Sequence, residues 1–180
     1  KKTRITMFGC PFAQASVKHM VSKIMAPPNF PVNFEDIKAG IHYHEACETR
    51  FTINSMTIIP IPLSHPNQGV GYKFVENGKS FVFLTDNELK FTHPGGAGFE
   101  EYRDFSADAD LLIHDAEYTE EEYKKTRTWG HSVYKDALKL ALEARVQKFG
   151  LFHHNQERSD EGIDKMLADC LKTVSHNNAS

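Results

Sequence analysis

Ten histidines stand in a chain of 180 residues that carries only three cysteines. Imidazole both ligates metals and titrates near neutral pH, so these histidines are where chemistry is to be sought. Four ligand-type residues close four short apolar runs. His65 follows Ile58 to Leu63, Asp86 follows Phe81 to Leu84, Asp115 follows Leu111 to Ile113, and His153 follows Gly150 to Phe152. A fifth, His131 in Trp129-Gly130-His131-Ser132, precedes a helix-like segment, where its ring can face a ligand beside the positive helix start. Imidazoles with carboxylates suit Zn²⁺, Mn²⁺ or Fe²⁺, and a carboxylate can bridge two ions. Singly, each residue has a plainer reading. A histidine at a strand end is usually a surface or capping residue, Asp86 before Asn87 reads as a turn residue, and His131 can cap the next helix with Ser132. The joint pattern is what favours a metal site, because loops at strand ends converge at one sheet edge.

The elements that must position these residues are readable from hydrophobic period. Thr3 to Phe8, Ile41 to Cys47 and Phe51 to Pro60 alternate like strands. Val70 to Val75 and Ser80 to Thr85 flank Glu76-Asn77-Gly78-Lys79, and Asn-Gly suits the positive φ angles of a type I′ hairpin turn. Asp110 to Ile113 and Phe149 to Phe152 read as short buried strands. Ala13 to Met25, stopped by Pro27-Pro28, and Ser132 to Arg145 have helical faces. Thr119-Glu120-Glu121-Glu122 is a capping-box signal for a short helix, and Ser159 caps a last one. Phe30 to Gly40 reads as irregular, Phe91 to Gly98 as loop, Cys10-Pro11-Phe12 as a turn, and Ser175 onward as a frayed tail. Strands dominate early and alternate with helices late, which gives a sheet-rich α/β or α+β layered domain over residues 1–180.

Five stretches together resemble the metallo-β-lactamase-fold hydrolases, in their phosphodiesterase and tRNase Z-like branch. They are Leu63 to Tyr72, Phe83 to Asp86, Leu111 to Asp115, Gly130-His131-Ser132 and Leu151 to His154. The resemblance implies an αββα sandwich. It implies that His65 and His153 are metal ligands, that Asp86 is the bridging carboxylate, and that two divalent ions, zinc first with manganese or iron as alternatives, are the cofactors. It also implies that Asp115 and His131 form an acid–histidine pair that orients phosphate and handles a proton. His154 receives no role. The family's H-x-H-x-D-H loop is absent. The nearest match, His42-Tyr43-His44-Glu45, falls where the family has an ordinary strand and is read as a decoy. The chain is therefore expected to be the C-terminal part of this fold, short of its first strands and inactive by itself. A missing N-terminal segment or self-association is expected to cover the open sheet.

Composition narrows the function classes. Charged residues are 25% of the chain and the net charge is −3, which argues against a basic nucleic-acid footprint. A small, cyclic-nucleotide-like phosphodiester is thus the expected substrate. A tRNA 3′-processing endonuclease and a metal-free, non-catalytic binding module of the same fold are the alternatives. No apolar run reaches membrane-spanning length. Three cysteines without C-x-x-C spacing suit a reducing, cytoplasmic setting.

Overall fold

The computed structural model describes residues 3–9, 16–45 and 49–177. Cys10-Pro11-Phe12, the start of the first expected helix at Ala13, and Cys47 lie outside the described residues. The chain divides into two compact units, Lys1–Thr49 and Arg50–Ser180.

In the first unit, β1 (Arg4–Gly9) pairs in parallel with β2 (Gly40–Glu45). Parallel neighbours need a crossover, and α1 (Val17–Ile24) lies within it. The Ser16 hydroxyl accepts the His19 N–H at 3.1 Å and caps α1. His42 and His44 are exposed on β2 and alternate with the half-buried Ile41 and Tyr43, so they share one face of that strand. They do not sit in the middle of a larger sheet, because β2 belongs to a two-stranded one.

The second unit is built on a six-stranded sheet. Its strands are β3 (Phe51–Ile53), β4 (Met56–Pro62), β5 (Val70–Glu76), β6 (Lys79–Leu84), β7 (Leu111–Asp115) and β8 (Phe149–Phe152), hydrogen-bonded in that order. The expected single strand from Phe51 to Pro60 is in fact a hairpin. Asn54 takes φ +54°, a conformation asparagine tolerates, and turns the chain back on itself. The Asn-Gly hairpin is as expected: Asn77 and Gly78 both have positive φ between β5 and β6. Gly71 on β5 is required by packing, since a Cβ there would meet Leu84, Leu63 at 2.9 Å and Ile61 at 3.2 Å.

Pairing is antiparallel from β3 to β6 and parallel from β6 to β8. Helices fill the two parallel crossovers: α2 (Phe99–Ser106) between β6 and β7, then α3 (Glu120–Thr126) and α4 (Tyr134–Glu143) between β7 and β8. The helix α2 was not anticipated. It opens on Gly98, which has no side chain to announce a cap, and its hydrophobic face is only eight residues long. The Thr119 capping box opens α3 as expected, with its hydroxyl accepting the Glu122 N–H at 3.3 Å. The last helix, α5 (Asp160–Asn177), runs into the stretch expected to fray; residues 178–180 lie outside the described residues.

Two apolar clusters hold this unit. Ile61, Val82, Leu84 and Leu112 of the sheet, with Leu63 just past β4, bury against Tyr102 of α2 and Leu140 of α4. Tyr134 and Leu138 of α4 meet Met166 and Cys170 of α5 in the second. Strand direction then decides where function can sit. β4, β6, β7 and β8 all point the same way, because two antiparallel steps separate β4 from β6. Their C-terminal ends therefore share one edge, and His65, Asp86, Asp115 and His153 follow or end those four strands.

Candidate metal centre

At that edge Asp86, Asp115, His131 and His153 each offer a ligand atom, all within 4.8 Å of one another. The His153 Nε2 lies 3.2 Å from the Asp86 carboxylate. The rings of His131 and His153 stack with centroids 4.6 Å apart. His65 stands one ring further out, 5.4 Å from His131 centroid to centroid, and is not one of the four. Its Nδ1 accepts the Asn67 N–H at 3.2 Å. Gly130, at φ +100°, leaves the space that the His65 ring occupies; a Cβ there would strike that ring and Pro66.

Two of the four hold uncommon backbone. Asp86 has φ +57° and His153 φ +53°, the left-handed region that non-glycine residues occupy at a cost of about 1–3 kcal/mol. Both sit one or two residues past a strand end, where the turn of the chain throws the side chain over the sheet edge. Such outliers persist where surrounding structure enforces them, and they collect at functional sites.

The carboxylate of Asp115 is completely buried and its hydrogen-bonding capacity is filled. Oδ1 accepts the Glu117 N–H at 3.2 Å and the Ser132 N–H at 3.1 Å. Oδ2 accepts the Asn87 N–H at 3.2 Å and the His131 Nδ1–H at 2.6 Å. A carboxylate has about four lone-pair sites, so Asp115 keeps none for a metal. Its work is to fix the His131 ring, donating through Nδ1 and turning Nε2 outward. Burial opposes charge on His131, but the Asp115 hydrogen bond, with Glu117 and Asp86 nearby, outweighs it and holds the ring above the ordinary imidazole value. The His65 ring is held below that value, first by burial and then by His131.

Asp86 and one ring nitrogen of His153 remain as donors, and His131 presents its outward nitrogen beside them. This set fits a divalent transition ion: imidazole nitrogens with a carboxylate are what zinc, manganese and iron accept. The buried His153 Nδ1 makes no hydrogen bond, although the Glu117 carboxylate is 3.4 Å away.

Three further groups escaped the sequence reading. Glu117 faces the edges of both stacked rings, 3.5 Å from His131 Nδ1 and 3.4 Å from His153 Nδ1. The signal for it was there, an acid two residues after Asp115 in His114-Asp115-Ala116-Glu117. His114 is fully buried beneath the site; its Nδ1–H donates to the Asp115 carbonyl at 2.7 Å and its Nε2 accepts from Asn87 Nδ2 at 3.1 Å. Glu88 is also buried, and accepts from Tyr123 Oη at 2.5 Å, His93 Nε2 at 2.8 Å, Thr128 N at 2.8 Å and Gly130 N at 2.9 Å. Burial would raise its carboxyl, yet these donors prevail and hold it below the ordinary range. His93, in the loop His93-Pro94-Gly95-Gly96, is thereby a buried partner of Glu88.

The family described as "Beta-lactamase superfamily domain" matches residues 6–154, and the chain belongs to it. Among the curated relatives, Ribonuclease Z of Haloferax volcanii is 42% identical over 48 residues, 27% of this chain and 15% of that protein. Ribonuclease Z of Brevibacillus brevis is 32% identical over 94 residues, 52% of this chain and 27% of that one. Among solved structures, the metallo-beta-lactamase fold protein YhfI from Bacillus subtilis superposes with a TM-score of 0.63 at 15% identity, covering 91% of this chain and 57% of its own. A diphosphatase from the PhnP family gives 0.62 at 15% identity, covering 91% and 53%. Zn²⁺-bound PqqB from Methylobacterium extorquens gives 0.57 at 14% identity, covering 92% and 58%. The fold is thus the metallo-β-lactamase fold of a hydrolase superfamily. The chain spans 15% and 27% of the two curated relatives' lengths and a little over half of these three solved structures. No helix among the described residues is long and apolar enough to cross a membrane.

Proposed function

We propose that the protein is a metal-dependent hydrolase of small phosphodiesters, with Asp86 and His153 as metal ligands, His65 completing the ligand set, and the Asp115–His131 pair acting on the phosphate. One observation carries this reading. Asp115 spends all its hydrogen-bonding capacity on holding its surroundings and the His131 ring. That arrangement serves a proton-handling imidazole rather than a metal cage.

Divalent ions held by Asp86, His153 and His65 would supply a hydroxide nucleophile at neutral pH by lowering the pKa of bound water. The chain's own residues account for the rest. His131 is oriented by Asp115 and presents Nε2 to the open side. Because Asp115 keeps the ring protonated more readily than a free imidazole, His131 is suited to donate a proton to the departing alkoxide oxygen. In the protonated form it also places positive charge beside the phosphoryl oxygens. Ser132, through its N–H to Asp115 and its hydroxyl to the Asn87 carbonyl at 2.6 Å, locks the loop that presents His131.

The Ribonuclease Z names of the curated relatives support a second reading, cleavage of an RNA phosphodiester. The test uses the full-length gene product, zinc analysis, bis(p-nitrophenyl) phosphate and a tRNA precursor. About two zinc ions per chain and hydrolysis of the small diester, both lost in Asp86→Ala and His153→Ala, are expected. Unchanged metal content and turnover in those variants would refute the assignment. Cleavage of the tRNA precursor alone would favour the second reading.

A further inference from the structure

Trp129 lies next to Gly130 and His131, and its indole is 61% exposed. It is the chain's only tryptophan. It borders an open groove of about 730 Å³ whose inner end is formed by His131 and His153, with Thr126, Asn155 and Gln156 along its walls. We propose that this groove is a nucleoside subsite in which Trp129 stacks on the base of a single nucleotide whose phosphate lies at His131 and His153. The inference rests on the phosphodiester reading above and names the group attached to that phosphate.

Three observations support it. First, the display of Trp129 is enforced. Thr128 holds φ +73°, a genuine outlier for a β-branched residue, and Gly130 holds φ +100°. Their N–H groups both donate to the buried Glu88 carboxylate, at 2.8 and 2.9 Å, and the Trp129 N–H donates to the Thr126 carbonyl at 3.0 Å. The backbone on either side of the indole is clamped from within while the indole itself faces outward. A large flat ring held in place beside a reaction site offers its face to a base, and base–aromatic stacking contributes about 1–3 kcal/mol per base.

Second, the walls suit a heteroaromatic edge. The Thr128 hydroxyl and the Gln156 amide offer both donors and acceptors, whereas Asn155 already donates to Glu117 at 3.2 Å and accepts the Glu157 N–H at 3.0 Å, and the Thr126 hydroxyl donates to the Glu122 carbonyl at 3.2 Å. Third, the charge of the groove limits the ligand to one nucleotide. Glu117 and Glu157 line it, and no lysine or arginine does among the described residues. A polynucleotide needs cationic side chains for its successive phosphates. Here one phosphate can be held at the metal ligands, and the remainder of the ligand must be uncharged.

The test uses the full-length gene product with zinc, 5′-adenosine monophosphate and methyl phosphate as probes, the share of tryptophan emission lost in Trp129→Phe and titration calorimetry as readouts, and sedimentation as a control. AMP is expected to quench the Trp129 emission saturably and to bind about 5- to 150-fold more tightly than methyl phosphate. Trp129→Ala is expected to bring AMP down to the affinity of methyl phosphate, and Trp129→Phe to keep most of the difference. Equal affinities of wild-type protein for AMP and methyl phosphate, or an unaltered AMP affinity in Trp129→Ala, would overturn the subsite while leaving the phosphodiester reading standing. A change of association state in Trp129→Ala with AMP affinity intact would overturn it too, and assign the indole to a protein interface. If neither probe binds, the phosphodiester reading fails and the subsite with it.

Discussion

At the scale of single residues, roles at the sheet edge are separated by how many hydrogen bonds each group already makes. Asp86 and His153 have capacity to spare; Asp115 has none. Proximity alone would place all four clustered residues on a metal, whereas saturation of Asp115 assigns it to holding His131. Asp115→Asn tests this. An amide presents only one acceptor oxygen to four N–H donors, and its own N–H₂ must face two of them. Hydrolysis is expected to fall by about 10²–10⁴ in kcat, the usual worth of a positioned proton-transfer group. Bound zinc is expected to stay near the wild-type amount. Loss of zinc in proportion to activity would instead make Asp115 a ligand. Kinetics paired with metal analysis on one preparation makes the comparison.

At the scale of elements, two loops that are distant in sequence act as one body. Residues 86–93 follow β6, residues 127–131 lie between α3 and α4, and Glu88 joins them through four donors. The strained Thr128 and the His131 position both depend on that carboxylate. Glu88→Ala leaves these donors without a partner in a buried place, a loss of about 3–5 kcal/mol. Urea unfolding measures it. Under conditions where the variant is still folded, hydrolysis should drop as well, because His131 loses the loop that aims it; undiminished kcat would show that the clamp is irrelevant to the site. Most of the strands, the Asn-Gly turn, the capped α3 and the long α4 and α5 were legible, since each has a local signal. The Asn54 turn and α2 were not, because an eight-residue helix opened by a glycine and a turn inside an alternating run carry little local information.

At the scale of the whole molecule, buried and paired histidines couple stability to pH in opposite directions. His131 has its folded value raised by Asp115. Its stabilising share is therefore complete below the ordinary imidazole value of about 6.5 and is lost as pH rises through the raised one. His114 is lowered, by burial first, against the pull of the Asp115 carbonyl and carboxylate. A proton on its Nε2 would face the Asn87 amide donor. The unfolded chain then binds more protons than the folded one below about 6.5, so stability falls as pH drops. His65 and His154, also lowered with burial as the leading cause, act in the same sense. The metal-stripped chain should therefore be most stable near pH 6.5, with its melting temperature declining toward both pH 5 and pH 8. A melting temperature that rises steadily down to pH 5 would contradict this balance. A calorimetric pH series in chelator decides it.

The sequence by itself determined the candidate residues and the α+β class. Ligand-type residues at four strand ends are local facts, and hydrophobic period reports local structure directly. The resemblance to the metallo-β-lactamase-fold hydrolases is what led to His131 and Asp115 as a pair. Only the tertiary structure decided that four strands point their C-terminal ends to one edge, that Asp115 is saturated, and that His65 stands outside the closest cluster. It alone revealed Glu88 and Glu117 as parts of the site. The reason is physical. A buried carboxylate is tolerated only where donors from distant segments meet it, and that meeting is made by the packing of the sheet and its crossovers, which no short stretch of sequence records.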